Sequence, residues 1–314
     1  MFKKSYKYYI FILLIFTAGI TTLTAYSFGQ KNYIPSDSFL NKKSLSWSRY
    51  FAPPKKNISI PQITGKEALA IDAFSYIILD RETLSPLLEK NTDQKLFIAS
   101  LTKIMTATVA LEQIKTGEIV TINNDYANVS PGKMGLFIGE KIKVEDLLNG
   151  VLISSANDAA LALADFVEEQ TNNSFVSLMN QKAKELGMLQ TNFSNVIGLD
   201  NAENYSTVKD LAYLANFAEK NDFIAEVVKM PEKTVYSIDG KTTHTLTTTN
   251  QLLKDGELNI LGLKTGSTPG AGECLITLTE KDGHEIITVI LGSSDRFTDT
   301  KKLIQWVWGN IEWK

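Results

Sequence analysis

The 314 residues predict an α+β fold, with an antiparallel sheet formed from both ends of one domain and a helical cluster inserted between them. Three observations carry that expectation. Short apolar runs of strand character occur near residue 75 and return beyond Met230. The stretch between them changes to apolar residues three and four apart, the helical period. The last two strand-like runs are joined at Glu280-Lys281-Asp282-Gly283, a Gly-containing hairpin connection. With 44% hydrophobic and 21% charged residues, the chain can bury the core such a domain needs.

In chain order, Lys3, Lys4 and Lys7 precede an uncharged apolar run from Tyr8 to Phe28. Residues 1–28 read as a signal peptide or a signal-anchor transmembrane segment. The run is long enough to cross a bilayer, which favours an uncleaved anchor, and the lysines put its amino end inside. Residues 29–64 carry Pro35, Pro53, Pro54 and Pro61 without a sustained period and read as a tether, whose Trp47, Tyr50 and Phe51 could dock on the domain. The domain is expected over 65–314. Ala73 to Leu79 and Lys95 to Ile98 read as strands around a turn at Arg81-Glu82-Thr83. Ser100 to Ile114 has helical spacing, with Leu101, Ile104, Met105, Val109 and Leu111 on its apolar face. Further helices are expected over 143–151, 158–169, 174–186, 207–219 and 222–228. Strands are expected over 234–238, 261–265, 275–279 and 285–291, and a last helix over 299–311.

Composition excludes several function classes. A net charge of -3 offers no basic footprint for a phosphate backbone, so nucleic acid is not an expected partner. The single cysteine, Cys274, cannot form an intramolecular disulfide and reads as a small core residue of a strand. His244 and His284 lack metal-ligand spacing and read as surface residues; no metal or other cofactor is expected. A Ser-His-Asp hydrolase would have to use one of these two histidines.

In a histidine-poor chain, a serine can instead be activated by a lysine that burial or a second cation keeps neutral. Ser-x-x-Lys places the two groups on one helical face, and it occurs here three times. Pro131 and Gly132 argue against helix in Ser130-Pro131-Gly132-Lys133, and Ser206 of Ser206-Thr207-Val208-Lys209 reads as a helix cap. Only Ser100-Leu101-Thr102-Lys103 follows a strand and opens a long amphipathic helix. Ser155-Ala156-Asn157 lies between two apolar helical segments, where on its own a cap role for Asn157 is the simpler reading. Lys115-Thr116-Gly117 closes a helix. Lys264-Thr265-Gly266 ends an apolar strand instead, where Thr265 could bind a substrate carboxylate and Gly266 would admit a peptide at a strand edge.

These three motifs in this order resemble the penicillin-binding protein and serine β-lactamase superfamily. Their surroundings, Ile98 to Thr106, Ser155 to Ala159, Gly198-Leu199-Asp200, Tyr205-Ser206 with Asp210-Leu211-Ala212, and Gly262 to Gly266, resemble the low-molecular-mass D-alanyl-D-alanine carboxypeptidases. The resemblance implies a β-lactamase/transpeptidase-like fold and a penicillin-sensitive enzyme trimming D-Ala from peptidoglycan stem peptides. It implies Ser100 as nucleophile, Lys103 as base, and Ser155 with Lys264 as the proton route to the leaving group, the two lysines lowering each other's pKa. Asn157, Thr265 and Gly266 would bind the substrate peptide, the N–H groups of Ser100 and Ser267 would form an oxyanion hole, and Arg296 would take the terminal carboxylate. For Arg296 a surface ion pair is the alternative. The second motif has Ala156 where the family commonly has Gly, a change expected to be tolerated.

A β-lactamase would add a glutamate in a Glu-x-x-Leu-Asn segment between the second and third motifs. Glu145 to Asn149 matches by letter but precedes Ser155, and Glu168 to Asn172 lacks the leucine. A peptidase is therefore expected. Endopeptidase or transpeptidase activity would use the same residues, and a non-catalytic wall-binding protein would need none of them.

Overall fold

The computed structural model describes residues 59–65, 69–124, 126, 129 and 132–314. The segment 1–28, the tether as far as residue 58, and Ser130-Pro131 lie outside the described residues. Among the described residues, no helix is long and apolar enough to cross a membrane.

The chain runs through β1 (Pro61–Ile63), β2 (Ser75–Asp80) and β3 (Pro86–Lys90) before a 3-10 turn at Ala99–Leu101 leads into α1 (Thr102–Gln113). There follow β4 (Ile119–Thr121), β5 (Lys141–Lys143), α2 (Val144–Ile153), α3 (Asn157–Thr171), α4 (Phe175–Glu185), α5 (Val208–Ala218) and α6 (Asp222–Val227). A hairpin of β6 (Glu232–Tyr236) and β7 (Thr243–Thr247), α7 (Gln251–Asp255), β8 (Ile260–Thr268), β9 (Gly272–Lys281), β10 (His284–Ser293), α8 (Arg296–Asn310) and β11 (Ile311–Trp313) complete it.

The main sheet has the order β3-β2-β10-β9-β8 and is antiparallel throughout, so it does take strands from both ends of the domain. Side chains alternate between its faces. Cys274, Ile276 and Leu278 of β9 pack towards the helical cluster with Leu101, Ile104, Met105, Leu163 and Leu211. Leu275, Ile286 and Ile290 pack on the other side against Leu303, Ile304 and Val307 of α8. Burial on both faces explains why β9 and β10 read as near-continuous apolar runs. Cys274 is the buried strand residue expected.

The structure differs from these expectations in five respects. The partner of β2 is β3, not Lys95 to Ile98, where Leu96 makes only an isolated bridge to Ser206. β3 was hidden by Pro86, Glu89 and Lys90, which suit an edge strand and break an apolar pattern. β7 was missed because Thr243-His244-Thr245-Leu246-Thr247 alternates with little apolar content. His244 is not a surface residue: it is 4% exposed and paired with Glu140. The last helix starts at Arg296, because Asp295 caps it by accepting from Thr298 N at 3.0 Å. β1 pairs with β11 from Pro61↔Trp313 to Ile63↔Ile311, so the folded unit includes the end of the segment read as a tether.

Candidate active site

Ser100 lies in the 3-10 turn that starts α1, behind Ala99, whose φ of +47° is unusual for a residue with a Cβ. Two close approaches hold that strained turn. A Cβ on Gly198 would lie 1.9 Å from the Ala99 carbonyl oxygen, and one on Gly266 would lie 2.9 Å from the Ser100 nitrogen. The Ser100 turn is thus wedged between the 195–200 loop and the third motif. Both positions need glycine because backbone occupies the space a side chain would take.

Lys103 Nζ lies 2.9 Å from Ser100 Oγ and donates to the Ile197 carbonyl at 2.8 Å. The residue is fully buried, and no carboxylate lies within ion-pair distance of it among the described residues. Burial, and then the nearby Lys264, lower its pKa well below the ordinary lysine value. The competing motif at Ser206 lacks this arrangement: Ser206 is buried with its hydroxyl 2.7 Å from Thr191, and Lys209 is exposed. The cap of α5 is Thr207 rather than Ser206. Lys115-Thr116-Gly117 sits in the turn after α1, with Lys115 exposed.

β8 carries the third motif along the edge of the main sheet. Lys264 is buried and donates to the Thr265 carbonyl at 3.0 Å. Burial and then Arg296 bring its pKa down to about 7. Each lysine thus has a second cation beside it, Lys264 for Lys103 and Arg296 for Lys264, and that neighbour disfavours its proton. Thr265 is nearly buried, its hydroxyl 2.5 Å from that of Thr249. Arg296 donates to the Gly266 carbonyl at 2.8 Å and makes no side-chain ion pair among the described residues, so the surface ion pair considered for it is not what holds it. Ser267 is exposed. The turn beyond it is fixed by Asp200, which accepts from Thr268 Oγ1 at 2.5 Å and Gly270 N at 2.8 Å.

The second motif is a tight turn between α2 and α3. Ser155 has a φ of +60°, Ala156 caps α3, and Asn157 is its first helical residue, 6% exposed. Asn157 N donates to the Gly132 carbonyl at 2.6 Å, and Asp158 accepts from the backbone N–H groups of Met134, Gly135 and Leu136 at 3.0, 2.8 and 3.1 Å. The two glutamates weighed for a β-lactamase are engaged elsewhere. Glu145 pairs with Lys143 at 3.0 Å, and Glu168 accepts from Phe175 N at 2.6 Å.

Sequence reasoning did not assign roles to the Ile197 carbonyl, Thr249 or Asp200. A carbonyl leaves no residue-type signal. Asp200 and Gly198 were visible only within the Gly198-Leu199-Asp200 resemblance.

A family profile described as D-alanyl-D-alanine carboxypeptidase matches residues 62–295. The D-alanyl-D-alanine carboxypeptidase DacC of Escherichia coli (strain K12) is 37% identical over 259 residues, covering 76% of this chain and 62% of that protein. DacF of Bacillus subtilis (strain 168), of the same description, is 32% identical over 252 residues, covering 78% of this chain and 64% of that protein. The chain thus matches less than two thirds of the length of these relatives. The crystal structure of the Streptomyces K15 DD-transpeptidase aligns with a TM-score of 0.72 at 32% identity, covering 78% of this chain and 100% of that one.

Proposed function

The chain belongs to the D-alanyl-D-alanine carboxypeptidase family, and from that premise we propose that it is a serine-type D-Ala-D-Ala carboxypeptidase acting on peptidoglycan stem pentapeptides. The observation that carries this reading is Lys103, buried, with no counter-charge among the described residues and 2.9 Å from the Ser100 hydroxyl. A lysine so placed can be the neutral base that the serine requires.

In this reading the Ser100 oxygen attacks the carbonyl carbon of the penultimate D-Ala while its proton passes to Lys103. The N–H groups of Ser100 and Ser267 stabilise the oxyanion, each typically worth about 3 kcal/mol. The peptide bond breaks as the leaving nitrogen gains a proton through Ser155 and Lys264, and terminal D-Ala departs. Water activated by Lys103 then cleaves the ester and restores the Ser100 hydroxyl. Arg296 and Thr265 face the substrate carboxylate, while Asn157 and the edge of β8 hold its peptide groups. A penicillin acylates the same serine. We further propose that residues 1–28 anchor the protein in the cell membrane, or are cleaved to release it, with the domain outside the cytoplasm.

The likeness to a DD-transpeptidase keeps a second acceptor in view, an amine in place of water. The test is incubation with labelled penicillin, then with a muropeptide pentapeptide followed by mass spectrometry. Wild type is expected to take up label and to remove one alanine, whereas Ser100→Ala does neither. A cleaved cross-linked dimer would assign an endopeptidase, and a new cross-link a transpeptidase. Rapid turnover of penicillin would point to a β-lactamase, and absence of both label and product to a non-catalytic wall-binding protein.

A further inference from the structure

The chemistry above makes no use of the buried pair His244 and Glu140. His244 on β7 is 4% exposed, and Glu140, just before β5, is 2% exposed. The ring's Nδ1 lies 2.9 Å from the Met134 carbonyl oxygen, and its Nε2 lies 2.7 Å from Glu140 Oε1. A carbonyl oxygen can only accept, so Nδ1 carries a hydrogen. The second contact then needs one more proton between Nε2 and Oε1, since otherwise two lone pairs would face each other. Asp146 of α2 has a carboxyl that feels both His244 and Lys233 of β6, and the Lys233 ammonium donates to Asn149 of α2 at 3.3 Å. Lys143 and Glu145 act on the same Asp146 from the start of α2.

What this link holds leads directly to the second motif. Residues 132–140 form a strap whose Gly132 carbonyl accepts from Asn157 N and whose Met134, Gly135 and Leu136 N–H groups converge on Asp158. The strap passes so close to the Ser155 carbonyl that a Cβ on Gly132 would lie 3.3 Å from its oxygen. Ser155 occupies left-handed backbone space at φ +60°, which persists only where the surroundings enforce it.

We infer that His244 and Glu140 are positioning residues: they lock the 132–140 strap to the β6–β7 hairpin and so hold Ser155 in the conformation that presents its hydroxyl for proton transfer. This rests on the reading of Ser155 as a proton carrier. The pair acts through backbone atoms of Met134 and touches no reacting group.

The test uses the full chain and the variants Glu140→Leu, Glu140→Gln and His244→Gln. A glutamine amide can donate to Nε2 of a neutral ring whose Nδ1–H still bonds Met134, so Glu140→Gln keeps both contacts without the shared proton. The rate constant for acylation of Ser100 by labelled benzylpenicillin is expected to fall at least about tenfold in Glu140→Leu and to stay within about threefold of wild type in Glu140→Gln. His244→Gln, able to reach one partner only, should fall between them, and initial penicillin binding should change little in all three. Hydrogen exchange at the amides of Met134, Gly135, Leu136 and Asn157 should quicken in Glu140→Leu and not in Glu140→Gln. The inference fails if Glu140→Leu acylates like wild type, or if exchange quickens only within β6 and β7. A wild type that takes up no penicillin would sink the functional reading instead, and the exchange pattern would then decide alone whether the pair holds the Ser155 turn.

Discussion

Lys103 and Lys182 both give up most of their contact with water, yet they end in opposite states. Lys103 is fully buried, its partners among the described residues are a hydroxyl and a carbonyl, and its pKa falls well below the ordinary value. The Lys182 side chain keeps 15% of its exposure and meets Glu112 at 2.8 Å and Glu185 at 2.6 Å. Burial pulls its pKa down as well, but hydrogen bonds and charge from the two carboxylates outweigh it and leave the net shift upward. A counter-charge therefore separates a lysine that can act as a base from one that ties helices together. Arg296 extends the contrast, because near Lys264 the neighbouring charge has the same sign and adds to the effect of burial.

The largest effect should come from deleting Lys103. Lys103→Ala is expected to slow penicillin acylation of Ser100 by about a thousandfold or more in stopped-flow measurements, with the fold intact by circular dichroism. A modest loss would mean that another group accepts the serine proton.

A stability experiment is next in size. Lys264 has a folded pKa of about 7 against an ordinary 10.5, so the unfolded chain binds its proton more readily. That cost to folding is full below pH 7 and fades as pH rises towards the ordinary lysine value. Lys264→Met should thus stabilise the protein by about 2 kcal/mol near pH 6, roughly 4–8 °C in melting temperature, while impairing acylation. The gain should shrink at pH 10, and a gain independent of pH would assign it to packing alone.

The smallest effect belongs to the paired lysine. Lys182 has a raised folded pKa, so its contribution is present below the unfolded pKa and is lost as pH climbs through the folded one. Glu112→Gln with Glu185→Gln should cost about 0.5–1 kcal/mol at pH 7 in urea titration and leave acylation unchanged. A drop in acylation would show that the ion pairs also shape the site.

Much of this was legible in residue order. The helical middle, the late hairpin at Asp282-Gly283 and the helix that follows Ser100 came from periodicity, because helix and strand periods are local properties. The misses have one cause. β3 and β7 are strands by virtue of their neighbours: Pro86 to Lys90 pairs with β2, and Thr243 to Thr247 with β6. His244 looked like a surface residue because burial of a polar ring depends on a partner 104 residues away in Glu140.

Sequence alone determined the three motifs, their order on helix, turn and strand, and the scarcity of histidine that made lysine the candidate base. Tertiary structure decided which lysines lose their counter-charge, how Gly198 and Gly266 wedge the turn at Ala99, and that Ser155 takes a positive φ. The division follows from range. Side-chain spacing along a helix or strand is written within a few residues, whereas desolvation, repulsion between cations and enforced backbone strain arise only when distant segments exclude water together.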